Sequence, residues 1–149
     1  MEVYFSLGSN LGCRLANIEK AITRLSVALE AGPERLSSIM ETPSDGFDGP
    51  AFLNCAALYI LPDEMSPDDI LDRCQKVEQK LGRPAHEAEF DAQGKRVYSS
   101  RTIDIDILLI GDKRIETPRL SVPHPGAFTR SYMIEPLKEI CPDWDKWLK

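Results

Sequence analysis

Arg101-Thr102-Ile103-Asp104-Ile105-Asp106-Ile107-Leu108-Leu109-Ile110 is an apolar, β-branched run interrupted by two aspartates, with Ser99-Ser100 before it and Gly111-Asp112 after it. Turn residues at both ends and this composition predict a buried strand. Alternation along a strand puts Ile103, Ile105, Ile107 and Leu109 on one face, and Thr102, Asp104, Asp106, Leu108 and Ile110 on the other. The second face is therefore acidic in its first half and apolar in its second. Two carboxylates at i and i+2 stand about 6–7 Å apart along the backbone, at a rise of about 3.3 Å per residue. Like charges that close, beside a core, repel one another and resist desolvation. A divalent cation relieves both problems. Mg²⁺ takes oxygen ligands, commonly one or two carboxylates plus substrate phosphates. An open sheet edge, or pairing with Lys or Arg, is the alternative.

Before this strand, Val3, Phe5 and Leu7 alternate with Tyr4 and Ser6, which predicts a first strand. Gly8-Ser9-Asn10-Leu11-Gly12 then turns the chain; the spacing and lysine of a phosphate loop are absent, so the glycines read as turn residues. Leu15, Ile18, Ile22, Leu25 and Leu29 recur at helical spacing up to Gly32-Pro33. Residues 36–41 form a short strand and 42–50 a loop rich in Pro, Gly and Asp. Residues 52–61 read as a buried strand containing Asn54, whose amide must be hydrogen-bonded there. Ser66-Pro67-Asp68-Asp69 is a helix start, with Ile70, Leu71, Cys74, Val77 and Leu81 as the buried stripe and Gly82 as its stop. Gln75 and Glu78, three residues apart, flank that stripe.

Residues 83–100 are long, polar and without helical period, as expected of a mobile lid loop. Beyond the acidic strand, Arg119-Leu120-Ser121-Val122-Pro123-His124-Pro125 holds a histidine between two prolines in extended backbone. Arg130 and Tyr132 precede a short helix ending near Cys141-Pro142, and Trp144 and Trp147 are placed to cap the core. The order is β-α-β-β-α-β with a C-terminal helical extension. That order predicts an α+β, ferredoxin-like sandwich with an antiparallel sheet, as one domain over residues 1–149.

A formal charge of −6 disfavours a general nucleic-acid surface. Cys13, Cys55, Cys74 and Cys141 form no C-x-x-C pair, no run reaches membrane length, and Met1 leads straight into a strand. The expectation is a cytoplasmic monomer with reduced thiols, binding neither membrane nor nucleic acid. Arg83, Lys95, Arg96, Arg101, Arg119, His124 and Arg130 lie in the lid and beside the acidic strand. Two carboxylates with several cations suit a polyphosphate, whose transfer needs positioning and charge neutralisation. The residues by themselves reach a Mg²⁺-dependent nucleotide-using transferase.

Taken together, Ser6-Leu7-Gly8-Ser9-Asn10-Leu11-Gly12, Phe52-Leu53-Asn54, Leu81-Gly82-Arg83, the Arg101–Leu108 run and Leu120-Ser121-Val122-Pro123-His124-Pro125 resemble the 6-hydroxymethyl-7,8-dihydropterin pyrophosphokinases of folate biosynthesis, in order and spacing. The resemblance implies transfer of pyrophosphate from ATP to the pterin hydroxymethyl oxygen, with release of AMP. It implies Asp104 and Asp106 as ligands of two Mg²⁺ ions, with Arg83, Arg101 and His124 beside them in catalysis. Thr42, Pro43, Phe52, Asn54 and Tyr132 match the pterin pocket, Phe52 and Tyr132 as a stacking pair. Gln75, Glu78, Arg83, Tyr98, Arg101, Ile107, Arg119, Ser121, His124 and Arg130 match the ATP side. The chain departs from the family where a second lid arginine is usual (Ala85), where Trp-Gly-Pro-Arg is usual (Tyr98-Ser99-Ser100-Arg101) and after the histidine (Pro125). Lys95 or Arg96 is available for the missing cation, and Tyr98 for the Trp. Two other classes share parts of this pattern: another metal-dependent nucleotidyl or phosphoryl transferase on the same fold, and a non-catalytic pterin- or nucleotide-binding module.

Overall fold

The structure, a computed structural model, describes residues 1–43, 51–82 and 102–146. Its main sheet is built from β1 (Glu2–Ser9), β2 (Arg35–Leu36), β3 (Met40–Thr42), β4 (Phe52–Ile60) and β5 (Asp104–Ile110). The strands run antiparallel in the order β2-β4-β1-β5, with β3 also paired to β4. Helices α1 (Arg14–Leu29) and α2 (Pro67–Lys80) cover one face. A small hairpin of β6 (Ile115–Glu116) and β7 (Ser121–Val122) follows, then α3 (Gly126–Thr129) and α4 (Ser131–Ile140). This is the ferredoxin-like α+β arrangement with a C-terminal helical extension. The α4 helix covers part of the opposite face, so the sheet separates two apolar cores.

The larger core packs Val3, Phe5, Leu7, Ile103, Ile105 and Ile107 against Ile18, Leu25, Ile70, Cys74 and Val77 of the two helices. The smaller one packs Tyr4, Leu58, Leu108 and Leu109 against Met133, Leu137 and Ile140 of α4, with Trp144 against it. Helix α2 starts as its residues dictate: the Ser66 hydroxyl accepts the Asp69 N–H at 3.1 Å, and Pro67, Asp68 and Asp69 fill the first turn. It stops before Gly82, whose φ of +102° is left-handed.

Four sequence expectations need correction. The alternation along β5 holds only as far as Ile107. Tyr4 pairs with Leu109 but Phe5 with Ile107, so Leu108 is an extra residue in the ladder, a β-bulge. The bulge turns both Leu108 and Leu109 toward α4 and sends Ile110 to the α1/α2 side. Second, the strand at 36–41 is two short strands. Leu36 pairs with Ala57 and Met40 with Asn54, which leaves one residue too many between them. Ser37 fills the gap, its hydroxyl accepting the Ala56 N–H at 2.8 Å. Third, Leu15 is 48% exposed and not part of the stripe of α1. Helix α1 ends on Glu30, with a left-handed φ of 56°, before Gly32 is reached. Fourth, Gly8 belongs to β1 and not to the turn; Gly12, with φ +66°, serves the turn. Residues 83–101, which include the expected lid, most of the 42–50 loop and Trp147 lie outside the described residues.

Candidate active site

The sheet register builds the site row by row. Gly8 of β1 lies between Asn54 of β4 and Asp104 of β5; in the next row Ser6 lies between Ala56 and Asp106. In the row after that Tyr4 lies between Leu58 and Leu109, and α4 closes over it. Polar and acidic side chains thus end where the helix cover begins. Ser6, Ala56 and Asn54 are buried, whereas Asp104 and Asp106 are half-exposed above them.

Gly8 is glycine for a steric reason. A Cβ there would meet Asn54 Oδ1 at 2.7 Å and Phe52 Cδ1 at 3.5 Å. The missing side chain is the space into which the Asn54 amide leans, beside the edge of the Phe52 ring. The other end of that amide is fixed too, Nδ2 donating to Thr42 Oγ1 at 2.8 Å. Thr42 and Phe52 are half-buried, and Pro43 is exposed at the end of β3.

His124 is carried to the aspartates by the β5 bulge. Its N–H donates to the carbonyl of Leu108, the extra residue, at 3.0 Å. Its Nδ1 accepts the Gly126 N–H at 3.0 Å, so the proton of the neutral ring sits on Nε2. Nε2 lies 3.8 Å from Asp106 Oδ1. Burial lowers the His124 pKa, the Arg130 charge lowers it further, and Asp104 pulls the other way. The ring is therefore a neutral donor at pH 7. A Cβ at Gly126 would meet Met133 Sδ at 2.6 Å, so the methionine side chain would have to shift to admit it.

Tyr132, the second residue of α4, is half-buried; its hydroxyl accepts from Arg130 Nη1 at 2.7 Å, and the guanidinium lies 6.0 Å from the ring centroid. Burial raises the phenol's pKa, and Arg130 opposes the rise. Arg119 turns toward α2, paired with Asp72 at 2.6 Å and Asp68 at 3.6 Å. Gln75 on α2 and Ser121 on β7 are half-buried.

Two residues expected on the ATP side are placed differently from a solvated contact. The Ile107 side chain is 3% exposed within the larger core, so what it can offer a ligand is the backbone of β5, an edge strand among the described residues. Glu78 is 7% exposed, and its Oε2 accepts the N–H of Ile105 at 2.9 Å. Arg83, Tyr98 and Arg101 lie outside the described residues.

Asp104, Asp106 and His124 form the acidic corner. No group of three or more metal-ligating side chains occurs among the described residues. Two carboxylates are a partial shell, which fits a hard cation completing its coordination with water and phosphate oxygens.

Residues 4–142 match the family model described as 7,8-dihydro-6-hydroxymethylpterin-pyrophosphokinase. The chain belongs to this family. Its similarity to individual pterin pyrophosphokinases is spread over nearly its whole length. It is 38% identical over 144 residues to the 2-amino-4-hydroxy-6-hydroxymethyldihydropteridine pyrophosphokinase of Aquifex aeolicus, covering 95% of this chain and 81% of the relative. The enzyme of the same name from Bacillus subtilis is 34% identical over 144 residues, covering 96% and 80%. That from Synechocystis is 34% identical over 139 residues, covering 93% of this chain but 65% of its own length.

Gly8, Ser6 and Ala56 lie in the same rows of the sheet as Asn54, Asp104 and Asp106, a placement that sequence reasoning did not give them. The available signal was three small side chains in two otherwise bulky strands, all on the face that carries the aspartates.

Proposed function

We propose that the corner formed by Asp104, Asp106, Asn54 and His124 is where this pyrophosphokinase transfers the terminal pyrophosphoryl unit of ATP to the hydroxymethyl oxygen of 6-hydroxymethyl-7,8-dihydropterin. The observation that carries this reading is the row Asn54–Gly8–Asp104. Two interstrand spacings separate the amide from the carboxylate, about 10 Å across the sheet. A fused bicycle with its hydroxymethyl arm spans that gap, its ring edge at the amide and its hydroxyl toward the acids.

Asn54, held by Thr42, reads the hydrogen-bonding edge of the ring, a type of site that rejects analogues lacking the partner group. Phe52 and Tyr132 stack on its faces, with Thr42 and Pro43 at its margin. Asp104 and Asp106 would hold two Mg²⁺ ions, which when bound would supply charge neutralisation on the triphosphate. The pterin hydroxyl attacks the β-phosphorus; the new O–P bond forms as the bond from that phosphorus to the oxygen of AMP breaks, and AMP leaves. Asp106 is the carboxylate placed to accept the hydroxyl proton. His124 donates from Nε2 to phosphate oxygens, and Arg130 and Arg119 add positive charge, Arg119 by leaving Asp72. Gln75, Ser121 and the Ile107 backbone line the nucleotide side. By the family resemblance, Arg83, Tyr98 and Arg101 belong to the same nucleotide side.

The chain works as a cytoplasmic monomer on small molecules. Four free thiols suit a reducing compartment, and no helix of the described residues is long and apolar enough to cross a membrane.

Product analysis tests the reaction: purified protein, ATP, Mg²⁺ and the pterin alcohol should give AMP and pterin diphosphate, with no AMP when pterin is left out. Formation of ADP would replace pyrophosphoryl transfer by a simple kinase reaction. In Asp104→Ala, turnover should fall by at least about 10²–10³-fold, and ATP binding should lose its response to Mg²⁺. Normal turnover in that variant would refute the metal assignment.

A further inference from the structure

Helix α1 begins against its own local chemistry. Its N-cap residue, Cys13, makes no side-chain capping bond, and its first turn holds no acid. Arg14 instead puts a positive charge at the positive end of the helix dipole. A residue that breaks a local rule points to a constraint set elsewhere in the fold. For Arg14 that constraint lies 37 residues further along the chain, where its Nη1 donates to the carbonyl of Ala51 at 2.8 Å. The same nitrogen pairs with Glu41 Oε2 at 3.0 Å.

Both contacts fall beside the residues assigned to the pterin. Ala51 precedes Phe52 at the start of β4, Glu41 precedes Thr42 on β3, and Thr42 pairs with Phe52 across the ladder. Glu41 pairs with Leu53, which packs against the larger core, so its side chain leaves the sheet on the α1/α2 face. Thr42, Phe52 and Asn54 alternate with these two and face the other way. Arg14 therefore holds the pocket wall from behind without entering the pocket. The carbonyl it binds belongs to the planar peptide that joins Ala51 to Phe52, and the plane of that peptide directs the Phe52 side chain. Arg14 also follows the turn that leaves β1 after Gly8, so one guanidinium links the three strand ends that carry Gly8, Thr42 and Phe52.

We propose that Arg14 is a positioning residue for the pterin side of the site: through the Ala51 carbonyl it presets the β3–β4 end, so that Thr42 and Phe52 are ordered before the pterin arrives. The proposal rests on the assignment of Thr42, Phe52 and Asn54 to the pterin. Its benefit is preorganisation, since side chains already in place need not be ordered on binding.

Steady-state kinetics at saturating ATP and Mg²⁺ test this. In Arg14→Ala the KM for the pterin alcohol should rise about 3–10-fold, the cost of ordering one contact side chain. Its kcat should stay within about 2-fold of the parent. The dissociation constant of ATP, measured without pterin, should also stay within about 2-fold, as for a site with no shared partner. Glu41→Ala should leave the pterin KM within about 3-fold, because its side chain is 60% exposed and an exposed ion pair contributes little. A lowered Tm with a normal pterin KM in Arg14→Ala would make this a stabilising contact only and overturn the proposal. So would an equal loss of ATP affinity, or the full pterin defect in Glu41→Ala. Should Arg14→Ala not fold, Arg14→Met, which keeps the apolar stem and removes the donors, is measured in its place with the same expectations. Asn54→Ala, run alongside, keeps the two readings apart. A normal pterin KM there removes the pocket assignment, whereas a raised one with a normal KM in Arg14→Ala overturns this inference alone.

Discussion

Gly8→Ala adds one methyl group at the centre of the site, and its consequences can be worked out from the structure. The new Cβ would lie 2.7 Å from Asn54 Oδ1, where ordinary contact begins at 3.4 Å, and 3.5 Å from the Phe52 ring. The amide cannot simply rotate away, because Nδ2 is held by Thr42 Oγ1 at 2.8 Å. Overpacking of this kind costs about 1–3 kcal/mol, and loss of the Thr42 bond about 0.5–1.5 kcal/mol. The group that moves is the one assigned to read the pterin. A loss of 1–2 kcal/mol in pterin binding corresponds to a rise of about 5–30-fold in its dissociation constant. ATP binding in the absence of pterin should stay unchanged. Calorimetric titration with each substrate, beside a thermal melt, measures all three quantities. The decisive comparison is a double-mutant cycle with Asn54→Ala. Gly8→Ala should add little once the amide is gone, because the clash goes with it. Full additivity of the two changes, or a normal pterin affinity in Gly8→Ala alone, would refute the steric account of Gly8.

Other outcomes follow from the same structure. Leu25→Ala, at a fully buried position in α1, should cost about 2–5 kcal/mol, whereas Leu15→Ala, at 48% exposure, should stay within about 0.5 kcal/mol; denaturant melts give both. Burial raises the Cys55 thiol to about 12 and also raises Cys74 and Cys141, so these three stay protonated and unreactive at neutral pH. The exposed Cys13 should then be the one thiol per native chain that a disulfide reagent titrates quickly; several fast thiols would contradict the packing. Two hydrogen bonds from Ser38 lower the Glu139 pKa, the hydroxyl bond more than the backbone one. A lowered carboxylate contributes stability above the usual carboxylate range and loses it as pH falls through the folded value. The stability gap between the parent and Ser38→Ala should therefore shrink on acidification, and a gap independent of pH would disprove the linkage. Arg119→Ala should raise the KM for ATP while leaving Tm unchanged, because its pairs with Asp68 and Asp72 are exposed. A large drop in Tm would make it a structural residue.

What was legible in the sequence was local. The caps of α2, the alternation in β1 and the apolar runs of β4 and β5 each express a preference of neighbouring residues, and together they give the sheet, its helices and the acidic face. The motifs located Asp104, Asp106, Asn54 and His124, which the fold gathers on one face. What escaped depends on partners distant in sequence. The β5 bulge exists only in the pairing with Tyr4 and Phe5, and the split before β4 only in the pairing with Leu36 and Met40. Gly8 looked like a turn residue because its real constraint, the Asn54 amide, comes from another strand. Glu78 read as a helix flank, since nothing near it in sequence reveals the edge of β5 against which it packs. Ile107 matched a nucleotide position by motif, yet its side chain belongs to the core.

The extra residue in β5 also bears on how freely this chain can change over evolutionary time. In an uninterrupted strand the two ends are coupled: a shift of register at either end turns every side chain over. The bulge at Leu108 works as a joint between two reading frames. On one side the frame is set by Asp104 and Asp106 against Gly8 and Ser6; on the other it is set by Leu109 and Ile110 against Tyr4 and Val3. Substitutions at Leu109 and Ile110 can then be absorbed without rotating the carboxylates. The hydrophobic half of the strand is left open to drift while the chemical half stays in register.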